Sequence, residues 1–249
     1  MFEIGVIPAA GIANRFKGYY YHGILPKVLY PLAGKPLILY QLENMRILGV
    51  KKVFVVVQQD DVTVEKYLER YDKDSPRLEV IHQVKSNGLG DAILTVSNLI
   101  TKSFVVILGD DITVSKDLKD AAYYFLDNDY EALQLSIHDN DKEAISRACG
   151  IDSSNNLVTH IVEKPENHKF SYRGIGIYFL KPSIFLELEA TPKFRNELRL
   201  TDALSALCER RKLATYSING FNFNINTVGD LLLASRHISI AHHNSDGQI

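Results

Sequence analysis

The chain has 249 residues, of which 46% are hydrophobic, and a formal net charge of −2 at neutral pH. A net charge this small gives no general attraction for nucleic acid or for an anionic membrane, and we expect neither as a partner. Any anion-binding site is expected to be local. Cys149 and Cys208 do not form a C-x-x-C motif, and the first residues lack a signal-peptide pattern. No apolar run approaches the ~20 residues of a membrane span. Together these features predict a cytoplasmic protein.

Short apolar, β-branched runs alternate with segments of helical period. In chain order, the runs predict strands at residues 3–8, 52–58, 78–83, 104–108, 132–138, 158–163, 175–180 and 214–218. The helical segments are residues 37–50, 60–71, 88–100, 117–128, 183–190 and 200–211, with a terminal helix over about 229–244. Continuous apolar strands separated by helices predict an α/β fold, in which helices flank both faces of a mostly parallel sheet.

The loop after the first strand, IPAAGIANRF (residues 7–16), lies where open α/β sheets bind ligands. It has only Gly11, so it fails the G-x-G-x-x-G pattern, and no P-loop sequence is present. A third interpretation is a loop of small residues that offers backbone N–H groups to a triphosphate, supported by Arg15 and Lys27. From the loop alone, an ordinary turn with two solvated cations explains the residues equally well.

Eight motifs follow one another along the chain: IPAAGIANRF, LPKVLYPLAGKPLI, GLGDAI, VVILGDDI, HIVEKP, GIGIYFL, NELRLTDAL and INTVGDLL. Their order resembles that of the sugar-1-phosphate nucleotidylyltransferases (NDP-sugar pyrophosphorylases), and above all the bacterial enzymes that make UDP- or dTDP-glucose. The resemblance implies a Rossmann-like sheet of the nucleotide-diphospho-sugar transferase type. It also implies one domain over residues 1–249, with a nucleotide-binding half at about 1–130, a sugar-phosphate-binding half at about 131–228 and a C-terminal helix and tail at 229–249.

The reaction that the resemblance implies joins two small molecules, an NTP and a sugar 1-phosphate. A sugar phosphate oxygen attacks the α-phosphorus of the NTP, and pyrophosphate leaves. We expect dTTP or UTP, glucose 1-phosphate and Mg²⁺ to be used. Such chemistry requires alignment and charge neutralisation more than covalent catalysis. A homo-oligomer is left open.

The resemblance assigns the phosphate-binding roles to the N-terminal part of the chain. Backbone groups at Ala10 and Gly11 would cradle the triphosphate. Arg15 would neutralise the leaving pyrophosphate, and Lys27 would hold the α-phosphate.

Base and metal recognition follow from the next motifs. Gln83 matches the position that contacts a pyrimidine edge, and its amide offers both donors and an acceptor. Gly88 would let the base approach the backbone. The resemblance implies that Asp110 is a metal ligand. It also implies that Asn224 is the second metal ligand, at a position where the family has Asp. Both side chains offer oxygen, which Mg²⁺ prefers.

The sugar phosphate would lie in the second half of the chain. The resemblance implies that Gly150 and Glu163 hydrogen-bond sugar hydroxyls and that Lys164 binds the phosphate. Gly176 would leave room beside the sugar, and Arg195 would be a second phosphate-binding cation.

Two other interpretations stay open at this point. A cytidylyltransferase acting on a sugar phosphate or phosphocholine would share the loop and Asp110, but it would lack the sugar contacts at Glu163 and Lys164. A nucleotide- or sugar-binding module that has lost catalysis is suggested by Ala13, Asn14 and Asn224, where the family has Gly, Thr and Asp.

Overall fold

The computed structural model describes residues 1–11, 16, 25–71, 76–84, 87–166 and 170–246. These residues form, in chain order, β1 (Ile4–Pro8), β2 (Pro31–Leu32), β3 (Lys35–Pro36), α1 (Leu37–Ile47), β4 (Lys52–Gln58), α2 (Thr63–Glu69), β5 (Arg77–Gln83), α3 (Leu89–Leu94), β6 (Phe104–Ile107), β7 (Asp111–Val114), α4 (Leu118–Leu126), β8 (Ala132–His138), α5 (Lys142–Ser146), β9 (Cys149–Ser154), β10 (Leu157–Glu163), β11 (Tyr172–Leu180), α6 (Ile184–Ala190), α7 (Leu200–Glu209), β12 (Leu213–Ser217), β13 (Phe221–Asn224) and α8 (Val228–Asp246). Short 3-10 helices lie at Lys27–Leu29 and Ser97–Leu99.

One sheet of nine strands runs through the described residues, in the order β5-β4-β1-β6-β11-β8-β12-β10-β9. β11 and β10 run antiparallel to their neighbours, and the other seven strands share one direction. This confirms the predicted α/β class and its mostly parallel strands. Because β11 lies beside β6 on one side and β8 on the other, it joins the two halves of the sheet.

The central strands are buried on both faces, as β4 shows. Val53, Val55 and Val57 pack into one apolar cluster with α1 and α4, whereas Phe54 and Val56 pack into another with α3, α6 and α7. Successive side chains of a strand point to opposite faces, so a continuous apolar run serves two helical layers at once. Among the described residues, no helix combines the length and the hydropathy needed to cross a bilayer.

Each predicted strand has a counterpart in the sheet, whereas β7, β9, β13 and the short β2–β3 pair were not predicted. β9 and β13 carry as many polar as apolar residues, so neither gives the continuous apolar pattern of a buried strand. β13 pairs with β7 outside the main sheet, with Asn224 opposite Asp111. This small antiparallel pair stands beside the carboxyl end of β6 and positions residues of the site described below.

A chain of polar side chains ties the β7–β13 pair to the main sheet. The Asn222 amide donates to the Asp111 carboxylate and accepts a hydrogen bond of 2.6 Å from Nη1 of Arg173. Nε of Arg173 donates to Oδ2 of Asp139 at 2.8 Å. Asp111 is only 2% exposed, and this burial raises the pKa of its carboxyl to about 6, although the nearby Arg173 charge acts in the opposite direction.

The raised pKa of Asp111 predicts a pH-dependent stability. A folded-state pKa above the ordinary 3.8 means that its stabilising contribution is full below pH 3.8 and is lost as the pH rises through about 6. We therefore expect the free energy of unfolding of the wild type, relative to that of Asp111→Asn, to fall by up to about 3 kcal/mol between about pH 4 and pH 7. Urea unfolding of both proteins at a series of pH values measures this difference in the free energy of unfolding. The exposed Asp60→Asn is the control, and a difference that stays constant or rises with pH would contradict the prediction.

Candidate functional site

Two adjoining pockets open at the carboxyl ends of β1, β6 and β10. The first has a volume of about 420 Å³ and is lined by Pro8, Ala9, Ala10, Gly11, Lys27, Val28, Gln83, Gly88, Leu89, Ala92, Leu108, Asp110 and Glu197. The second, of about 310 Å³, is lined among others by Asp110, Glu163, Lys164, Gly176, Arg199, Thr201, Asn224 and Asn226. Leu89, Leu108, Asp110 and Glu197 line both, so the two pockets adjoin along shared residues.

An ion pair stands where the pockets meet. Nζ of Lys27 lies 2.6 Å from Oδ2 of Asp110 and 3.4 Å from Oδ1 of Asn226. Lys27 begins a short 3-10 helix after Pro26, and its side chain is 9% exposed, whereas that of Asp110 is 31% exposed and open to both pockets. The buried cation is thus fixed at the boundary, with the carboxylate beside it.

Asn226 reaches this ion pair because of the local backbone. The N–H of Ile225 donates to the carbonyl of Asp110 at 2.8 Å, and the Ile225 side chain is fully buried. Asn224 and Asn226, on either side of Ile225, both line the second pocket, and the Asn226 amide donates to Oδ1 of Asn224. The N–H of Asn226 also donates to Asp230 at 2.9 Å, at the start of α8. Sequence reasoning selected Asn224 and missed Asn226, although both lie in the stretch FNINTVGDL (residues 223–231).

The far end of the first pocket contains residues predicted to contact a nucleotide. Gln83 ends β5 and is buried, and Gly88 follows with φ +102°, a conformation that favours glycine. A Cβ at Gly88 would lie 2.6 Å from the carbonyl oxygen of Leu198, so no larger residue fits. At the opposite wall, the Ala10 carbonyl accepts a hydrogen bond of 2.9 Å from Gln58, and Gly11 is exposed.

Arg15 lies outside the described residues, as do Ala13 and Asn14. The predicted pyrophosphate contact and the two departures from the family pattern in that loop therefore stay predictions from the sequence.

The second pocket contains Glu163 and Lys164, at the end of β10. Oε2 of Glu163 accepts a hydrogen bond of 2.8 Å from the Thr201 hydroxyl, and Oε1 lies 3.6 Å from Nζ of Lys164. Lys164 has φ +47° and is held there by a hydrogen bond of 2.7 Å from its N–H to the carbonyl of Ala148. An unusual backbone conformation in a non-glycine residue is commonest at functional sites.

Of three other residues predicted to bind the sugar phosphate, one lines the second pocket and two lie outside both pocket linings. Gly176 lines the second pocket, where a Cβ would lie 2.7 Å from the Cβ of Asp111. Gly150 is outside both linings and lies under the Phe170 ring. Arg195 is also outside both linings, exposed in a turn with its guanidinium 5.2 Å from the Phe194 ring centroid.

Arg199, which sequence reasoning did not select, lines the second pocket instead. Its guanidinium lies 4.1 Å from the Phe194 ring centroid, and its Nε donates to Oδ2 of Asp202 at 2.8 Å. Thr201 was missed as well. Both belong to the NELRLTDAL motif, so the motif indicated the segment correctly, but its linear order could not show which side chains face the pocket.

The combined pockets offer cations, hydroxyl acceptors and oxygen ligands in one cleft. Lys27, Lys164 and Arg199 supply positive charge, while Glu163 and Asp110 supply carboxylates. Over the described part of the chain, no group of three or more His, Cys, Asp or Glu residues is close enough to hold a metal ion. Such a cleft suits a phosphorylated ligand, and a metal bound here would need amide or ligand oxygens in addition to Asp110.

Comparison with known proteins gives related sequences and structures. The chain is 36% identical over 216 residues to the bifunctional protein GlmU of Methanococcus maripaludis strain C5, covering 85% of this chain and 49% of that protein. The chain thus spans about half the length of that relative. It is 27% identical over 262 residues to the UTP–glucose-1-phosphate uridylyltransferase of Mycoplasma genitalium, covering 92% of this chain and 89% of that protein.

A solved structure of a UDP-glucose pyrophosphorylase complexed with UDP-glucose shares the fold, with a TM-score of 0.86 and 26% identity over 97% of this chain and 100% of that one. The model of the nucleotidyl transferase family matches residues 5–238. The resemblance found from the sequence motifs is thereby confirmed: the chain belongs to the nucleotidyl transferase family.

Proposed function

We propose that the chain transfers a nucleotidyl group from dTTP or UTP to a sugar 1-phosphate, with glucose 1-phosphate as the expected acceptor, and so forms an NDP-sugar and pyrophosphate. The observation that carries this proposal is the Lys27–Asp110 ion pair at the junction of two adjoining pockets. A transfer between two phosphorylated molecules needs one place where both phosphates meet, and the junction supplies it together with a fixed cation. The named activities of the related proteins above agree with this reaction.

Lys27 is proposed to hold the α-phosphate. Its ammonium is directed by Asp110 and Asn226, so its position is set before any substrate arrives. A preorganised cation costs little reorganisation during the reaction and stabilises charge that develops on the phosphoryl oxygens. Arg15, outside the described residues, is proposed to neutralise the pyrophosphate, and backbone groups at Ala10 and Gly11 to contact the triphosphate.

The reaction needs no covalent enzyme intermediate. A phosphate oxygen of the sugar 1-phosphate forms a bond to the α-phosphorus as the bond from that phosphorus to the pyrophosphate oxygen breaks. Lys27 and the residues of the two pockets align the reactants and balance their charge, which is the main catalytic contribution in phosphoryl transfer.

Mg²⁺ is the proposed cofactor, and Asp110 and Asn226 are the residues proposed to bind it. Both present hard oxygen atoms near the Lys27 ammonium, and the remaining ligands would be phosphate oxygens and water. When bound, Mg²⁺ supplies charge neutralisation to the phosphates. The contacts favour Asn226 over Asn224 as the second ligand, because Asn226 approaches the ion pair directly whereas Asn224 accepts from the Asn226 amide.

Glu163 and Lys164 are proposed to bind the sugar phosphate. The Thr201 hydrogen bond fixes the Glu163 carboxylate as an acceptor for sugar hydroxyls, and the exposed Lys164 would pair with the phosphate. Gly176 would leave space beside the sugar. The sequence assigned the second phosphate-binding cation to Arg195. We propose Arg199 for this role, since Arg199 lines the second pocket and Arg195 does not. A hydrogen bond from Gly150 to a sugar hydroxyl stays a proposal from the sequence, since Gly150 lines neither pocket and packs against the Phe170 ring.

The two alternative interpretations receive less support. A phosphocholine site would not need a hydrogen-bonded carboxylate beside a lysine, and the second pocket has both. A binding module without catalysis would not need Lys27 to be held at the boundary between two ligand pockets.

A substrate matrix tests the proposed function. The purified chain is assayed for pyrophosphate release with each common NTP against a set of sugar 1-phosphates in the presence of Mg²⁺. We expect UTP or dTTP with glucose 1-phosphate to react far faster than ATP, GTP or CTP, because the Gln83 amide can both donate to and accept from a pyrimidine imide. A preference for a purine nucleotide, or for CTP, would contradict the proposed base contact, and no turnover with any pair would contradict the proposed function.

Removal of the Lys27 cation tests its role. We expect Lys27→Ala to lower kcat by roughly 10²–10³ because one fixed electrostatic donor to the reacting phosphate is lost. Steady-state kinetics measure the effect, and thermal melting verifies that the variant is folded. Lys193→Ala removes an exposed lysine outside both pockets and is the matched control. Activity of Lys27→Ala within about threefold of the wild type would exclude Lys27 from the mechanism.

A magnesium titration distinguishes the two asparagines. An added carboxylate at a metal ligand increases the attraction for Mg²⁺, so Asn226→Asp should lower the Mg²⁺ concentration for half-maximal rate, whereas Asn224→Asp should change it less. Asp110→Asn should raise that concentration. If Asn224→Asp gives the larger decrease, Asn224 is the metal ligand. If Asp110→Asn leaves the titration unchanged, Asp110 is not a ligand.

A further inference from the structure

A tight turn fixes Glu197 at the wall shared by the two pockets. Phe194 and Glu197 exchange two backbone hydrogen bonds, each of 2.9 Å. Between them, Arg195 has φ +49° and Asn196 has φ +70°. Two consecutive residues with positive φ and paired flanking residues are the features of a type I′ hairpin turn, which is among the most sharply defined short connections.

The same segment is joined to the start of α3. The N–H of Leu198 donates to the carbonyl of Asn87 at 2.7 Å, and the N–H of Gly90 donates to the carbonyl of Leu198 at 2.9 Å. A Cβ at Gly88 would lie 2.5 Å from Cγ of Glu197, so the Glu197 stem rests directly on the Gly88 backbone. Glu197 is therefore anchored against Gly88, which, like Gln83, lines the first pocket but not the second.

The Glu197 carboxylate differs from the other acidic groups of the cleft. Asp110 is paired with Lys27, and Glu163 accepts from Thr201. Glu197 is exposed and lines both pockets, and within the described part of the chain its carboxylate makes neither a hydrogen bond nor an ion pair. Like charges repel, so a carboxylate in a cleft that is proposed to bind phosphates is better suited to an uncharged, hydroxyl-bearing part of the ligand than to the phosphates.

We propose that Glu197 accepts hydrogen bonds from the 2′- and 3′-hydroxyls of the nucleotide ribose, so that it selects UTP over dTTP. This inference rests on the proposed function. A carboxylate has two acceptor oxygens and matches a vicinal diol, as acidic residues do in dinucleotide-binding proteins. A hexose also carries vicinal hydroxyls, but the contact with Gly88 assigns Glu197 to the nucleoside side of the shared wall. A site that expects a hydroxyl disfavours the analogue that lacks it.

The test compares UTP with 2′-deoxyuridine triphosphate, which differ only in the 2′-hydroxyl. Binding in the presence of Mg²⁺ is measured by calorimetry without a sugar phosphate, and kcat/KM is measured with saturating glucose 1-phosphate. We expect the wild type to prefer UTP by roughly 10- to 100-fold, the range for a hydrogen bond to a charged group. Glu197→Ala should reduce the preference to about one, because it weakens binding of UTP more than binding of the deoxynucleotide, which has only the 3′-hydroxyl contact to lose. Glu197→Gln should retain part of the preference.

Glu189→Ala removes an exposed carboxylate outside both pockets and should keep the wild-type ratio. A wild type without a preference, or a Glu197→Ala variant that weakens both nucleotides equally, would overturn the inference. If Glu197→Ala instead abolishes discrimination between glucose 1-phosphate and its 2-deoxy analogue, the carboxylate serves the hexose, and the ribose assignment is wrong. The binding ratio does not depend on turnover, so a chain that binds UTP selectively through Glu197 but transfers nothing would retain this inference and contradict only the proposed function.

Discussion

The antiparallel pair of β7 and β13, with the hydrogen bond from Ile225 to Asp110 that follows it, sets the geometry of the whole cleft. β7 follows Asp110 directly, and β13 leads into Asn226, so a pairing of four residues brings together two segments more than a hundred positions apart. A shift by one residue would turn Asn226 away and expose Ile225, because side chains alternate along an extended segment. The buried Ile225 side chain therefore fixes this register.

The charged side chains of the cleft lie at different depths beside the β7–β13 pair. Lys27 and Asp110 form an ion pair that lines the first pocket, and the adjacent Asp111 is buried and bonded to Asn222. Adjacent carboxylates thus have different environments, one open to both pockets and the other enclosed. Burial of a polar group is tolerated when it is hydrogen-bonded; Asp111 accepts from the Asn222 amide, and Asn222 in turn accepts from Arg173. The polar chain also connects the β7–β13 pair with β8 and β11, so the site is attached to the rigid sheet.

Some of the non-glycine residues with positive φ lie at or next to the second pocket, whereas others, such as Ala33, Asn156 and Arg211, lie in turns elsewhere. Lys164, Arg195 and Asn196 all have positive φ, and each lies beside a hydrogen bond between distant or turning segments. Such conformations cost of order 1–3 kcal/mol each and persist only where the surroundings enforce them. Here the enforcement comes from the Lys164–Ala148 bond and from the paired Phe194 and Glu197. Lys164 itself lines the second pocket, and the turn at Arg195 and Asn196 leads directly into Glu197, which lines both.

The sequence by itself determined the α/β class, the eight predicted strands and the family, because apolar periodicity and motif order are local properties of the chain. It also indicated Lys27, Gln83, Gly88, Asp110, Glu163 and Lys164, which lie in the two pockets. The tertiary structure alone decided that Asn226 approaches Lys27, that Arg199 lines the pocket in place of Arg195, and that Glu197 lies against Gly88. Each of these depends on strand register or on a turn between segments far apart in sequence. Neighbouring residues of one motif differ in the direction of their side chains. That direction is fixed by pairing with a distant segment, so the motif alone does not show it.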